Sequence, residues 1–402
     1  MSTPSTAPTC LAAFTATSGI GAGCAATLES LRGRRSALRP CDFDGVDLPT
    51  CIGAVAGVDA QPIPATLRRF DCRNNRLAEL ALRQDGFLDA VRDAAGRHGR
   101  RRVGVFLGTS TSGILETEIA YRRRDRTDGS LPAEFDYAAT HNAYSLVEYV
   151  RERTGIEGPA AAVSAACASS AKAFAVGRRM LEAGIVDAAL VGGVDSLCLT
   201  TLYGFHSLQL LAGAPCRPFD VDRDGLSIGE AAAFALLGRA PASLDRDAVL
   251  LLGSGETNDG HHMSAPRPDG LGAQRAIQAA LADARLGAAE IDYVNLHGTG
   301  TASNDLAESG AVVAILGRDV PCSSTKAATG HALGAAGALE AIIGALCLQG
   351  SLLPAGLHTR RVDPRLEANY ITDNRCAPVR RILSNSFGFG GANCCLILGV
   401  AG

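Results

Sequence analysis

Short apolar runs alternate along the chain with longer stretches whose apolar residues recur every third or fourth position. This alternation predicts an α/β protein of packed layers. Val103–Leu107, Ala188–Gly192, Ala231–Leu237, Val249–Leu252, Tyr293–Leu296 and Cys394–Leu398 read as strands. Gly23–Arg32, Asn75–Ala95, Ala168–Ala183, Gly272–Ala284, Asp305–Leu316 and Ala335–Gln349 read as helices, most with glycine or charge near the end. The polar stretch RAPASLDRD, Arg239–Asp247, separates two strand-like runs and predicts a boundary between residues 1–242 and 243–402. No sequence repeat relates the two parts.

The 402 residues are 47% apolar and 20% charged, enough to bury a large core and too apolar for disorder. A net charge of −3 gives no nucleic-acid footprint. Three basic clusters stand out: Arg68 with Arg69, Arg97 with Arg100–Arg102, and Arg122–Arg124 with Arg126. Each is either solvated surface or a docking patch for an acidic partner. The thirteen cysteines form no CxxC pair or zinc spacing, and several sit in apolar runs as small hydrophobes. With no export signature and no spanning segment read from the sequence, a reducing cytoplasm is expected.

Cys167 lies in VSAACASSAKAFAVGRRMLEAG, where small residues precede a helical pattern. A strand-to-helix turn here would set backbone N–H groups and the positive helix end beside the thiol, favouring a thiolate. An inert buried cysteine is the other reading. His297 follows a strand-like run in YVNLHGTGTASNDLAESG, and His331 precedes a Gly/Ala-rich helix in SSTKAATGHALGAAGALEAI. Either histidine alone reads first as structural, but both occupy the kind of turn where α/β folds place chemistry. A helix N-terminus keeps imidazole neutral. Glu308 and Lys326 could pair to orient the rings. In LSNSFGFGGANCCLIL the glycines precede a strand rather than a helix, so a flexible turn is expected in place of a phosphate loop. Phe387 and Phe389 could close an apolar channel there.

These segments, in this order, resemble the β-ketoacyl-acyl carrier protein synthases. The resemblance spans nearly the whole chain: SGIGAGCAATLESLRGRRSAL, ACASSA, GGVDS, RPFDVDRDGLSIGEAAAF, NLHGTGT, KAATGHALGAAGALEAI and NSFGFGGAN. It implies a thiolase-like fold, two related βα halves in a five-layer α-β-α-β-α sandwich. It implies that Cys167 carries the acyl chain and that His297 and His331 bind the malonyl thioester for decarboxylation. The N–H groups of Cys167 and Phe389 would form the oxyanion hole, Thr299 and Thr301 would bind phosphopantetheine, and Lys326 and Glu308 would support the histidines. Thr111, Phe205, Phe387 and Phe389 would line or gate the acyl pocket. The family needs no metal or organic cofactor, works with an acyl carrier protein, and forms homodimers or heterodimers. Arg68, Arg69, Arg122, Arg123 and Arg124 become candidates for carrier docking. Two departures, Leu226 after DRDG and polar Thr111, point away from an ordinary saturated chain and towards a specialised product such as a polyene. A non-catalytic chain-length subunit and a coenzyme A thiolase are the competing readings. Cys394 and Cys395 are the candidates for a thiolase's second cysteine.

Overall fold

The computed structural model describes residues 8–241 and 243–401. Ala242, at the expected boundary, lies outside the described residues. The first part supplies strands β1 (Thr9–Ser18), β2 (Val103–Gly108), β3 (Ala160–Val163), β4 (Ala188–Asp195) and β5 (Ala231–Arg239). The second supplies β6 (Val249–Asn258), β7 (Tyr293–Asn295), β8 (Pro321–Ser323), β9 (Arg381–Gly388) and β10 (Ala392–Val400). The helices used below are α1 (Cys24–Arg32), α2 (Arg73–Leu82), α3 (Phe87–His98), α4 (Ile114–Arg122), α5 (Ala143–Thr154), α6 (Ser169–Glu182), α7 (Leu199–Ser207), α8 (Leu271–Ala284), α9 (Ala302–Leu316) and α10 (Ala336–Gly350).

Sheet topology reveals the duplication that the sequence hides. Strands of the first part run β3-β2-β4-β5-β1, and those of the second β8-β7-β9-β10-β6. In each, the fourth strand is antiparallel to both neighbours and the other pairings are parallel. Among the described residues, these two sets of strands pair with each other through β1 and β6, at Thr9–Leu251 and Cys10–Leu250.

Strand β5 shows why its apolar run is unbroken. Ala231, Ala233, Ala235 and Leu237 face a cluster that contains α6 and α10, while Ala232, Phe234 and Leu236 face the cluster of α2, α3 and α5. A strand buried on both faces has no polar side. In the second part, Cys395 and Ile397 of β10 face α8 and α9, while Cys394, Leu396 and Leu398 face α10. The result is five layers, with α6 and α10 central between the sheets. Ser170 of α6 accepts the Ala338 N–H of α10 at 2.8 Å, tying these helices together. The stretch Leu333–Gly350 is long and apolar enough to cross a membrane, where no spanning segment was expected. It is 89% buried in the protein, as this central layer requires.

Several elements differ from expectation. The helix read over Asn75–Ala95 is two, α2 and α3, broken where Asp85 and Gly86 take φ of +53° and +67°. The break lets Asp85 accept the Cys24 N–H at the start of α1, at 3.0 Å, and the Thr15 hydroxyl at 2.7 Å. Strands β1, β3, β8 and β9 and helices α4, α5 and α7, not singled out in the sequence, complete the layers.

Candidate active site

Cys167 sits between β3 and α6, and His331 between β8 and α10. These are equivalent turns of the two halves, brought face to face because α6 and α10 share the central layer. His297 lies between β7 and α9, and its counterpart in the first half is the turn Thr109–Ser112. The residue before the thiol, Ala166, has φ of +48°, a strained conformation that projects Cys167 from a tight turn. Ser169 closes that turn by accepting the Ala165 N–H at 2.8 Å and donating to the Ala166 carbonyl. Gly388 passes so close that a Cβ would meet the Ala165 oxygen at 2.9 Å and the Cys167 nitrogen at 3.1 Å. Its bareness lets the Phe389 N–H reach the thiol.

His331 Nε2 lies 3.1 Å from Cys167 Sγ, and the two imidazole rings are 5.2 Å apart, nearly perpendicular. All three side chains are buried. Burial, then the Lys326 charge, holds both histidines well below their ordinary pKa, and His331 further lowers that of His297. Both are therefore neutral at pH 7. The thiol departs from expectation. Burial pushes its pKa up to about 12, although the Lys326 charge and the Phe389 N–H pull it down. The resting nucleophile is a thiol, because desolvation outweighs the Lys326 charge and the Phe389 N–H.

The expected Glu308–Lys326 pair is replaced by two separate arrangements. Lys326, buried, pairs with Glu340 of α10. Glu308 accepts the N–H groups of His297 and Gly298, each at 2.7 Å, and the amides of Asn385 at 3.0 Å and Asn304 at 3.3 Å. Glu308 thus fixes the His297 backbone while Lys326 sets the charge beside both rings. Glu340 was missed, although a lone carboxylate in an otherwise apolar helix marks a buried partner.

The cleft over the thiol is narrow, about 60 Å³, and is lined by Cys167, both histidines, Thr299, Thr301, Phe205, Phe387, Phe389 and Leu226, among others. The Thr299 and Thr301 hydroxyls are 2.9 Å apart. Phe205 of α7 stacks on Phe389 at 5.4 Å between ring centres. The reacting atoms of Cys167, His297 and His331 lie within 4.8 Å of one another, close enough to hold a metal ion. Metal-binding histidines almost always pass their second nitrogen to a carboxylate or carbonyl. Here Nδ1 of each has no partner among the described residues, and Lys326 places a cation alongside. The set suits neutral hydrogen-bond donors better than a metal.

Residues 75–242 match the family described as beta-ketoacyl synthase, N-terminal domain, and residues 248–360 match its C-terminal domain. A 3-oxoacyl-[acyl-carrier-protein] synthase 2 of Mycobacterium tuberculosis (strain ATCC 25618 / H37Rv) is 32% identical over 93% of this chain and 92% of its own. The chain belongs to the β-ketoacyl synthase family. Another 3-oxoacyl-[acyl-carrier-protein] synthase 2, from Rhizobium meliloti (strain 1021), is 35% identical over 73% of each chain. Among solved structures, the ketosynthase ApeO in complex with its chain length factor ApeC, from Xenorhabdus doucetiae, superposes with a TM-score of 0.90. It is 38% identical, with both chains fully covered. The ishigamide ketosynthase/chain length factor gives 0.88 at 30% identity, covering 98% of this chain and all of its own. The thiolase-like fold expected of the family is the fold found.

Other expected residues of this β-ketoacyl synthase fall outside the cleft. Thr111 is not among the lining residues, and its hydroxyl donates to Asp195 at 2.8 Å. Arg68, Arg69 and Arg123 share a separate depression with Asp71, Glu116, Glu134 and Asp136. Arg69 pairs with Glu148 and Glu152, and Arg123 with Glu134. Arg122 and Arg124 are exposed. Cys394 and Cys395 are fully buried within β10 and do not line the cleft.

Proposed function

We propose that this ketosynthase catalyses the decarboxylative condensation of malonyl-carrier protein with an acyl chain held on Cys167. The observation that carries the reading is one neutral cluster: a thiol, two uncharged imidazoles and a backbone N–H converging in one buried cleft. In the first half-reaction Sγ attacks the acyl thioester, the thioester bond to the carrier breaks, and the carrier thiol leaves with the proton. In the second, Nε2–H groups of His297 and His331 hold the malonyl thioester oxygen while the bond to the carboxylate breaks and carbon dioxide leaves. The enolate attacks the acyl-Cys167 carbonyl, whose oxyanion is held by the N–H groups of Cys167 and Phe389. Collapse breaks the bond to Sγ, and the thiolate takes up one proton. An imidazolium is acidic enough to protonate the enolate before it attacks, so neutral donors suit the reaction.

Thr299 and Thr301 are our assignment for the phosphopantetheine arm, and Phe205, Phe387 and Phe389 for the gate. No metal or organic cofactor enters the scheme. We read residues 1–242 and 243–402 as the two halves, supported by their matching strand orders. The thirteen free cysteines support a reducing cytoplasm. A second ketosynthase-fold chain is the proposed partner, since two similar structures carry a chain length factor. We read the product as a specialised chain, since both of these similar structures pair a ketosynthase with a chain length factor. Incubation with a panel of acyl-carrier proteins and malonyl-carrier protein tests the proposal. Products longer by two carbons support it, and failure of every acyl carrier to yield one contradicts it.

A further inference from the structure

Asp195, at the end of β4, is fully buried. Its carboxylate takes six donors. The Thr109 and Thr111 hydroxyls reach it at 2.6 and 2.8 Å, together with that of Ser110. The N–H groups of Ser110, Thr111 and Gly334 reach it at 2.9, 3.0 and 2.6 Å. Five of these donors belong to the Thr109–Ser112 turn of the first half. The sixth, Gly334, lies three residues after His331 in the second.

A buried carboxylate costs several kcal/mol unless fully compensated. Here the compensation comes from hydrogen bonds that bridge the two halves. Both turns are strained, with Ser112 at φ of +46° and Leu333 at +50°. Gly334 must be bare, since a Cβ would lie 2.7 Å from Asp195 Oδ2 and 2.8 Å from the Ser110 nitrogen. His331 itself is pinned through its backbone. Its N–H donates to Ser227 at 2.7 Å, and its carbonyl accepts from Gly229 at 3.0 Å. Its Nδ1 has no partner among the described residues, so apart from the Nε2 contact with the reacting Cys167 Sγ no side-chain bond there fixes the ring. Ring placement therefore depends on where the turn is held.

We propose that Asp195 is a positioning residue for His331, its carboxylate locking the His331 turn onto the Thr109–Ser112 turn. Thr111 is one of the donors that complete the lock, which accounts for a polar residue at this buried position. The inference rests on the condensation reading above. Misplacing a reacting group by about 1 Å can cost on the order of 100-fold in rate.

The test measures kcat per acylatable Cys167, titrated by intact mass, so that unfolded protein is not counted. Asp195→Asn places an N–H₂ against donors and is expected to lower this value at least about tenfold, with carrier KM changed less than about twofold. Thr111→Val, which keeps the carboxylate, is expected to lower it about two- to fivefold. If Asp195→Asn does not fold, Thr111→Val decides alone. Wild-type turnover per titrated site in the variant that decides, or a loss wholly in KM, overturns the inference. Absence of acylation in the wild type would instead sink the condensation reading itself.

Discussion

His331 Nε2 rests 3.1 Å from Cys167 Sγ, with no charge on either group. The pair resembles a protease dyad in distance and differs from one in ionisation. Burial raises the thiol and lowers the imidazole, so proton transfer between them is unfavourable at rest. Thiolate character must develop as the thioester carbonyl arrives.

That ionisation state has a direct signature. Alkylation of Cys167 by uncharged iodoacetamide should keep rising with pH beyond the ordinary thiol value of about 8.5. A plateau at or below that value would show a resting thiolate and contradict the assignment.

Lys326 governs the acid side. Its charge depresses both histidines, so Lys326→Ala should raise their pKa values. Imidazolium then forms at higher pH, and the acid limb of the kcat profile moves upward. Because Glu340 loses its buried partner, Lys326→Ala paired with Glu340→Gln is the better-tolerated form. We expect a loss of about 10- to 100-fold in kcat at pH 7. An acid limb that stays in place would remove Lys326 from this role.

Glu308→Gln replaces one oxygen that faces two or more donors with an N–H₂ group. Leaving such donors unsatisfied costs about 1–3 kcal/mol, seen as a lower Tm together with a lower kcat. Equal stability and activity in the variant would mean that the His297 backbone does not depend on it.

Much of this site was legible in the sequence, because Cys167, His297 and His331 each fall on a turn between a strand and a helix. What was hidden depends on contacts far apart in the chain. The apolar rhythm of Leu77, Ala81, Leu88 and Val91 runs across the break at Asp85. That break serves the α1 N-terminus, some sixty residues away. The Asp85-Gly86 dipeptide was the local sign of a turn. Lys326 has carboxylates on two helices within reach in sequence, and only the fold selects Glu340. Thr111 read as pocket floor because its partner, Asp195, lies on another strand.

Carrier docking separates the arginines. Arg69 and Arg123 already pair with glutamates, and Arg68 is exposed. Arg68→Glu should raise the carrier KM more than Arg123→Glu, with kcat unchanged and a weaker salt dependence. Equal KM in wild type and Arg68→Glu would move docking elsewhere.

Prolonged treatment with EDTA should leave activity intact, since Nδ1 of both histidines lacks the partner a metal ligand needs. Loss on chelation with recovery on adding zinc would reassign the Cys167, His297 and His331 cluster.

Intact mass of the protein with acyl-carrier protein, followed by malonyl-carrier protein, tests the central claim most directly. The account predicts one acyl adduct, absent in Cys167→Ala, that disappears on adding malonyl-carrier protein as carbon dioxide and a two-carbon-longer β-ketoacyl carrier form in equal amounts. An adduct that survives the substitution, or a Cys167 adduct that never yields an extended chain, would contradict it.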